Sequence, residues 1–214
     1  MVTRIGVLLV DDHSVVRQGL RRILETDDEI EVVGEARDGR SAVEMAQRLK
    51  PAVVVMDVAL PELNGVEATR QIMKHNGDAK VLILTTLNDD VYVRQSLKAG
   101  ARGYLFKDSE DVDLLKAIKA IGRGDSVFSP AVSQILLDGY RDGRDPQDHL
   151  EQLTEREREV LQLIAEGKTN KEIANLLAVS LHTVESHRKH VMKKLDLHNT
   201  AEIAHFALRM RVIH

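Results

Sequence analysis

Two short apolar runs, Ile5–Val10 and Ala52–Met56, each end abruptly in acid, in Asp11-Asp12 and in Asp57. Continuous apolar runs of this length, bounded by polar residues, predict strands buried on both faces, as in a parallel sheet. The same pattern predicts strands at Arg4–Val10, Ile30–Ala36, Val53–Asp57, Lys80–Thr85 and Gly103–Phe106. Apolar positions spaced three and four apart predict helices between them, at Ser14–Glu25, Arg40–Leu49, Gly65–Lys74, Asp89–Lys98 and Asp111–Ile121. Five β-α units predict an α/β domain, a doubly wound five-stranded parallel sheet with helices on both faces.

After Ser129 the pattern predicts a short helix, Pro130–Tyr140, then a linker. Asp138–Asp148 carries Gly139, Gly143 and Pro146 among alternating charges, which suits a connecting segment. No strand-like run follows residue 150, and four short helices are predicted there. Thr154 to Glu157 has the Ser/Thr-x-x-Glu spacing of a capping box, leading into Val160, Leu161 and Ile164. A second helix spans about Asn170–Leu177. Ser180 is placed to cap a third, Leu181–Leu195, and a fourth begins near Thr200. The domain reading is therefore 1–124, a linker with a short helix at 125–149, and a small all-α unit at 150–214.

Composition removes several function classes. The chain has no cysteine, so disulfides and thiolate metal sites are impossible and a reducing compartment fits. No apolar stretch nears the ~18 residues of a membrane helix. The opening residues run straight into a strand pattern, so no signal peptide, no membrane partner and a cytoplasmic setting are expected. Net charge is −4 but uneven. Residues 1–149 carry 20 Lys+Arg against 25 Asp+Glu, whereas 150–214 carry 10 against 9 together with six of the nine histidines. A nucleic-acid role for the second half must rest on where its charges sit.

In an open α/β sheet, ligands bind at the carboxyl ends of the strands, which brings Asp11, Asp12 and Asp57 to one crevice. Three close carboxylates repel one another. A hard divalent cation such as Mg²⁺ relieves that repulsion. Thr85 and Lys107 stand at the ends of two further predicted strands, and Asp57 opens a loop with Pro61 and Gly65. With these elements in this order, the first domain resembles the CheY-like receiver domain of two-component signalling over its whole length. The resemblance implies a flavodoxin-like sheet in which Asp57 is phosphorylated. It implies that Mg²⁺ is held by Asp11, Asp12, Asp57 and the backbone carbonyl of Ala59. Lys107 and Thr85 would contact the phosphoryl group, with Thr85 preferred to Thr86 because it lies 22 residues before Lys107. Tyr104 would be the switch aromatic, turning inward as Thr85 moves toward the phosphate.

Residues 150–214 resemble the LuxR-type helix-turn-helix domain. Leu153-Thr154-Glu155-Arg156-Glu157-Arg158-Glu159-Val160-Leu161, Gly167 to Ala174 and Leu181 to Arg188 carry that likeness. The family usually has Arg where this chain has Thr200, which implies a weakened local ion pair. At 100° per residue, Leu181, Val184, Val191 and Leu195 gather on one side of the third helix. His182, Glu185, Ser186, Lys189 and Lys193 gather on the other, a division that suits insertion in the major groove. Glu185, Ser186 and Lys189 are the candidates for base edges. Lys168, Thr169, Asn170, Lys171, Thr183, Arg188 and Lys193 are candidates for phosphate contacts. His187 and His190 are three apart, but no adjacent carboxylate completes a metal site. Ile203, Phe206, Ala207 and Met210 offer either a dimer face or core.

A receiver followed by this module is identified as a member of the NarL/FixJ group of response regulators. Its implied partners are a sensor histidine kinase, promoter DNA, a second copy of the chain and RNA polymerase. Phosphorylation of Asp57 would promote dimerisation or release the helix-turn-helix. No enzyme activity is expected beyond phosphotransfer to Asp57 and its reversal. A Mg²⁺-dependent phosphohydrolase would need an acid where Ala59 stands, and a vestigial receiver would lack Asp57, Lys107 or the acidic pair.

Overall fold

The apolar runs become the strands of a single parallel sheet in a computed structural model, which describes residues 4–108, 111–135 and 148–213. The chain divides into two units, Met1–Arg141 and Asp142–His214. In the first, β1 (Ile5–Val10), β2 (Ile30–Ala36), β3 (Val53–Met56), β4 (Val81–Thr85), β5 (Gly103–Phe106) and β6 (Val127–Phe128) lie in the order β2-β1-β3-β4-β5-β6. Helices α1 (Ser14–Leu24), α2 (Gly39–Leu49), α3 (Gly65–His75), α4 (Asp90–Lys98) and α5 (Asp111–Arg123) connect them.

The unbroken apolar character of β1, β3 and β4 follows from burial on both faces, whereas the edge strand β2 carries Glu31 and Glu35 and is only partly buried. Val7, Leu9, Val53, Val55, Leu82 and Leu84 pack with Leu24 at the end of α1 and with Leu114, Ala117, Ile118 and Ile121 of α5. Their neighbours Leu8, Val10, Val54, Met56 and Ile83 pack on the other face with Ala42 and Ala46 of α2, Ile72 of α3 and Val93 of α4. Each fully buried Val, Leu, Ile or Met among these stabilises the fold by roughly 1.5–3 kcal/mol. The strand order reverses between β1 and β3, which pair from Val7↔Val53 to Val10↔Met56. That reversal opens a crevice beyond their carboxyl ends.

Among the described residues the sheet has six strands where the sequence pattern predicts five. β6 pairs with β5 at Gly103↔Val127 and Tyr104↔Phe128. Two residues carry no periodicity, so only the open edge of β5 gives this strand a reason to form. Helix α6, of which residues 130–135 are described, follows directly. Ser129 starts it, its hydroxyl accepting from the Val132 N–H at 3.3 Å. Val132 is fully buried in the core of the first unit, with Phe128 and Ile135 packed against it. The first unit thus continues through residues that the sequence pattern assigns to the linker. The rest of the predicted linker and the end of the predicted helix Pro130–Tyr140 lie outside the described residues.

Among its described residues the second unit has five helices where the sequence pattern predicts four: the one-turn α7 (Asp148–Glu151), then α8 (Glu155–Ala165), α9 (Asn170–Leu176), α10 (Leu181–Leu195) and α11 (Thr200–Arg209). Thr154 and Glu157 form the expected capping box, and Ser180 caps α10 by accepting from the Thr183 N–H. Thr169 and Glu172 form a second capping box at α9. Ile203, Phe206, Ala207 and Met210 are buried with Val160, Leu161, Val184 and Val191, so they are core and not a dimer face. Leu181, expected on the buried stripe of α10, is 48% exposed. It stands at the first position of the helix, one turn before Val184.

Glu157 ties this unit together. Its Oε2 accepts from Lys194 Nζ at 2.6 Å and from the Thr154 N–H at 2.8 Å, and Lys194 also reaches the Gln152 carbonyl at 3.1 Å. Burial pushes the Glu157 carboxyl up, but the bonds from Lys194 and Thr154 together hold it below the usual glutamate value of 4.5. A lowered folded value means the contribution is complete above the unfolded pKa and is lost as pH falls through the folded one. Glu157→Gln is expected to cost about 1–3 kcal/mol at neutral pH, because it leaves the Lys194 ammonium without its charged partner. The gap between variant and parent should close below the carboxylate range. Denaturant titrations at a series of pH values between neutrality and acid check this. A gap that stays constant with pH would remove Glu157 as the cause.

Candidate functional site

The two sheet strands on either side of the reversal carry their acids into the crevice one residue beyond the ladder. The Asp57 N–H donates to the Val10 carbonyl at 2.9 Å, and the Asp11 N–H to the Ala36 carbonyl at 3.2 Å. Both carboxylates are buried. Lys107, whose N–H donates to the Thr85 carbonyl at the end of β4, sends its ammonium between them. Lys107 Nζ lies 2.6 Å from Asp11 Oδ2 and 2.5 Å from Asp57 Oδ2. Burial works against this charge, but the hydrogen bonds to Asp11 and Asp57 outweigh it and hold the ammonium above the ordinary lysine range. The cation therefore neutralises two carboxylates that would otherwise repel.

The other Asp57 oxygen, Oδ1, accepts from the Val58 N–H at 2.7 Å and the Ala59 N–H at 3.4 Å. The loop after Asp57 is held by two three-residue turns, Leu60 to Val58 and Leu63 to Pro61, and closed by the Gly65 N–H on the Val58 carbonyl at 3.0 Å. Asp12 is partly exposed beside His13, with His13 Nδ1 2.6 Å from Asp12 Oδ1. Asp11, Asp12 and His13 each offer a ligand atom within 4.8 Å of the others, a donor set that suits a divalent cation. Asp57 is linked to this group through the Lys107 bridge to Asp11.

Thr85 is fully buried and Oγ1 accepts from the Leu87 N–H at 3.3 Å. Tyr104 is also fully buried, already turned inward, and its hydroxyl donates to the Leu87 carbonyl at 3.0 Å. Burial, with Asp57 as the next cause, pushes the phenol well above its ordinary value, so it remains a donor. One residue absent from the sequence reading, Leu87, thus bonds through its backbone to both Thr85 and Tyr104. Leu87 carries no recognisable signal, since only its main chain takes part.

In the second unit, His182, Glu185, Lys189 and Lys193 line an exposed side of α10, with Ser186 partly covered and Val184 and Val191 buried opposite. Lys171 is exposed and Lys168 and Asn170 are half-buried at the start of α9. Among the described residues no helix is long and apolar enough to cross a membrane.

The receiver-domain family described as "Response regulator receiver domain" matches residues 7–119, and "Bacterial regulatory proteins, luxR family" matches residues 151–207. The chain is 40% identical over 210 residues to the transcriptional regulatory protein LiaR of Bacillus subtilis (strain 168), covering 98% of this chain and 99% of that one. The chain belongs to the two-component response regulators with a LuxR-type DNA-binding domain. It is 37% identical over 213 residues to the oxygen regulatory protein NreC of Staphylococcus carnosus (strain TM300), covering 97% and 98% of the two chains. Among solved structures it is similar to the response regulator ChrA of a heme-sensing two-component system, with TM-score 0.54, 35% identity and coverage of 98% and 99%. It is also similar to RcsB, seen as two dimers bound to two parallel DNAs, with TM-score 0.58, 28% identity and coverage of 95% and 98%. Its homologues are two-component transcriptional regulators, and its two domains imply a kinase partner and DNA.

Several DNA candidates in this response regulator are already engaged within the protein. The Thr169 hydroxyl is 2.7 Å from Glu172 Oε2, and the Thr183 hydroxyl is 2.8 Å from Ser180 Oγ. Arg188 donates to Thr200 Oγ1 at 2.5 Å and to Asn170 Oδ1 at 3.5 Å, tying α10 to α9 and α11. Thr200 thus keeps a bond to Arg188, through a neutral hydroxyl.

Proposed function

We propose that phosphoryl transfer from a sensor histidine kinase to Asp57 controls promoter binding by the α9–α10 pair. The observation that carries this reading is the Lys107 ammonium seated between Asp11 and Asp57 at the carboxyl ends of β1 and β3. An Asp57 carboxylate oxygen attacks phosphorus, the bond from phosphorus to the donor imidazole nitrogen breaks, and an acyl phosphate results. Lys107 follows the charge onto the phosphoryl oxygens, where a positioned cation contributes most in a water-poor crevice. Asp11 and Asp12, with Asp57 and the Ala59 carbonyl, would hold Mg²⁺, which when bound neutralises phosphoryl charge. The Thr85 hydroxyl turns to a phosphoryl oxygen and gives up the Leu87 N–H. That frees the loop to which Tyr104 is bonded, a local two-state change at the output face.

The machinery for phosphorylation lies within 1–124, β6 and the start of α6 extend that unit, and DNA contacts lie within 150–214. Glu185, Ser186 and Lys189 read base edges, with His182 beside them. Lys168, Thr169, Asn170, Lys171, Thr183, Arg188 and Lys193 meet phosphates, Thr169 and Thr183 through groups other than their engaged hydroxyls. A single copy with net +1 over 150–214 binds DNA modestly, so two phosphorylated chains pair on two half-sites. The protein acts in the cytoplasm, upon transcription by RNA polymerase, with no catalytic turnover beyond its own phosphorylation state.

Intact mass, light scattering and duplex affinity, each with and without acetyl phosphate and Mg²⁺, test this. One added phosphoryl group with tighter duplex binding is the expected result. Phosphorylation that leaves affinity for a selected operator unchanged would sink it. The contacts are separable too. Lys189→Ala should cost about 1–3 kcal/mol on the operator and relax its sequence preference. Lys171→Ala should weaken all sequences alike and lower the salt slope by about 1. Equal behaviour of the two variants would contradict the division between base and phosphate contacts.

A further inference from the structure

Arg17 lies on α1, outside the acidic pair, yet it holds the backbone that joins the pair. Its NH1 donates to the Asp11 carbonyl at 2.7 Å, and its Nε faces Glu35 Oε2 at 3.4 Å. Glu35, near the end of β2, is itself fixed by Arg21 Nε at 2.6 Å from its other oxygen. The Arg17 side chain is only 17% exposed. The next residue of β2, Ala36, accepts the Asp11 N–H. Asp11 is therefore gripped on both sides, its N–H by β2 and its carbonyl by a guanidinium standing on β2.

The consequence is geometric. A peptide group is planar, so the direction of the Asp11 carbonyl fixes the plane of the Asp11–Asp12 link. That plane sets the direction in which Asp12 leaves the main chain, and so where its carboxylate stands relative to that of Asp11. We propose that Arg17, seated on Glu35, is a positioning residue that tunes the divalent-cation affinity of the Asp11–Asp12 pair. This rests on the reading of that pair as the cation site. Arg17 touches neither the cation nor the reacting atoms. It acts as partners behind metal ligands do, by orienting the groups that bind.

The test uses the unphosphorylated full chain and Mn²⁺ as probe, with free Mn²⁺ followed by electron paramagnetic resonance. Arg17→Ala is expected to weaken Mn²⁺ binding by about 10-fold or more. Arg17→Lys keeps a donor for the carbonyl but loses the fork to Glu35, so it should fall between variant and parent. It also carries the test if Arg17→Ala does not fold. Phosphorylation by acetyl phosphate supplies a second readout. The half-saturating Mg²⁺ concentration should rise by the same factor, while the rate at saturating Mg²⁺ stays within about twofold of the parent. A merely structural role would lower the unfolding midpoint and leave Mn²⁺ affinity within about twofold of the parent, overturning the proposal. Asp12→Asn separates the two ideas. If the parent itself binds no more Mn²⁺ than Asp12→Asn, the cation reading fails and the role of Arg17 falls with it. If Asp12→Asn loses binding but Arg17→Ala does not, only the role of Arg17 fails.

Discussion

Asp57→Asn is expected to abolish phosphoryl uptake, with transfer slowed by at least about 10⁴-fold. The amide has nearly the same shape as the carboxylate but lacks the anionic oxygen that must attack phosphorus. It also offers Lys107 one carboxylate in place of two, so the ammonium stays on Asp11 and no longer bridges. The fold should survive, because the amide oxygen of the variant can still accept from the Val58 N–H as Asp57 Oδ1 does. Intact mass after acetyl phosphate and Mg²⁺ reads the result directly, the parent gaining one phosphoryl group and the variant none. Uptake by the variant equal to that of the parent would move the acceptor to another acid, and the pairing of Lys107 with Asp57 would then be only structural. Duplex affinity should become indifferent to the phosphodonor in this variant.

Gly65→Ala should damage the same site through packing. A Cβ built on Gly65 would lie 1.9 Å from the Asp57 carbonyl oxygen, 2.8 Å from its carbonyl carbon and 3.0 Å from Val58 Cα. All three are backbone atoms, so no side chain can swing aside. The start of α3 and the end of β3 must separate, at a cost of about 3 kcal/mol. Because the displaced carbonyl belongs to Asp57, phosphoryl uptake should fall together with stability. Gly77→Ala is the control, since nothing lies within 4 Å of a Cβ there. Thermal unfolding of the two variants should show a large drop for Gly65 and almost none for Gly77. Equal midpoints would mean that the loop yields cheaply and that Gly65 is not what sets the height of Asp57.

The strand and helix order was legible because the central strands of this sheet are buried on both faces. Parallel strands of that kind are unbroken apolar runs, and an acid placed just after such a run projects from the end of the strand. Lys107 and Thr85 were legible for the same reason, since each closes a strand. The capping boxes depend on four consecutive residues, which is why Thr154 and Glu157 announced a helix start. At α1 no such local signal exists: His13 occupies the cap position and makes no side-chain bond there.

Contiguous residues thus encode the order of elements, the acids at strand ends, and the stripe along α10. Everything that joins distant segments came from the packed chain. β6 forms only because β5 offers it an edge. Ile203 and Phe206 are core because α8 lies against them. Leu181 is exposed because α10 extends one turn past the residues that cover Val184. Leu87 couples Thr85 to Tyr104 through main-chain groups that every residue carries. Arg17 finds the Asp11 carbonyl only once α1 has folded back over β2. A hydrogen bond across such distances depends on position in space and not on residue type, so sequence pattern alone leaves no trace of it.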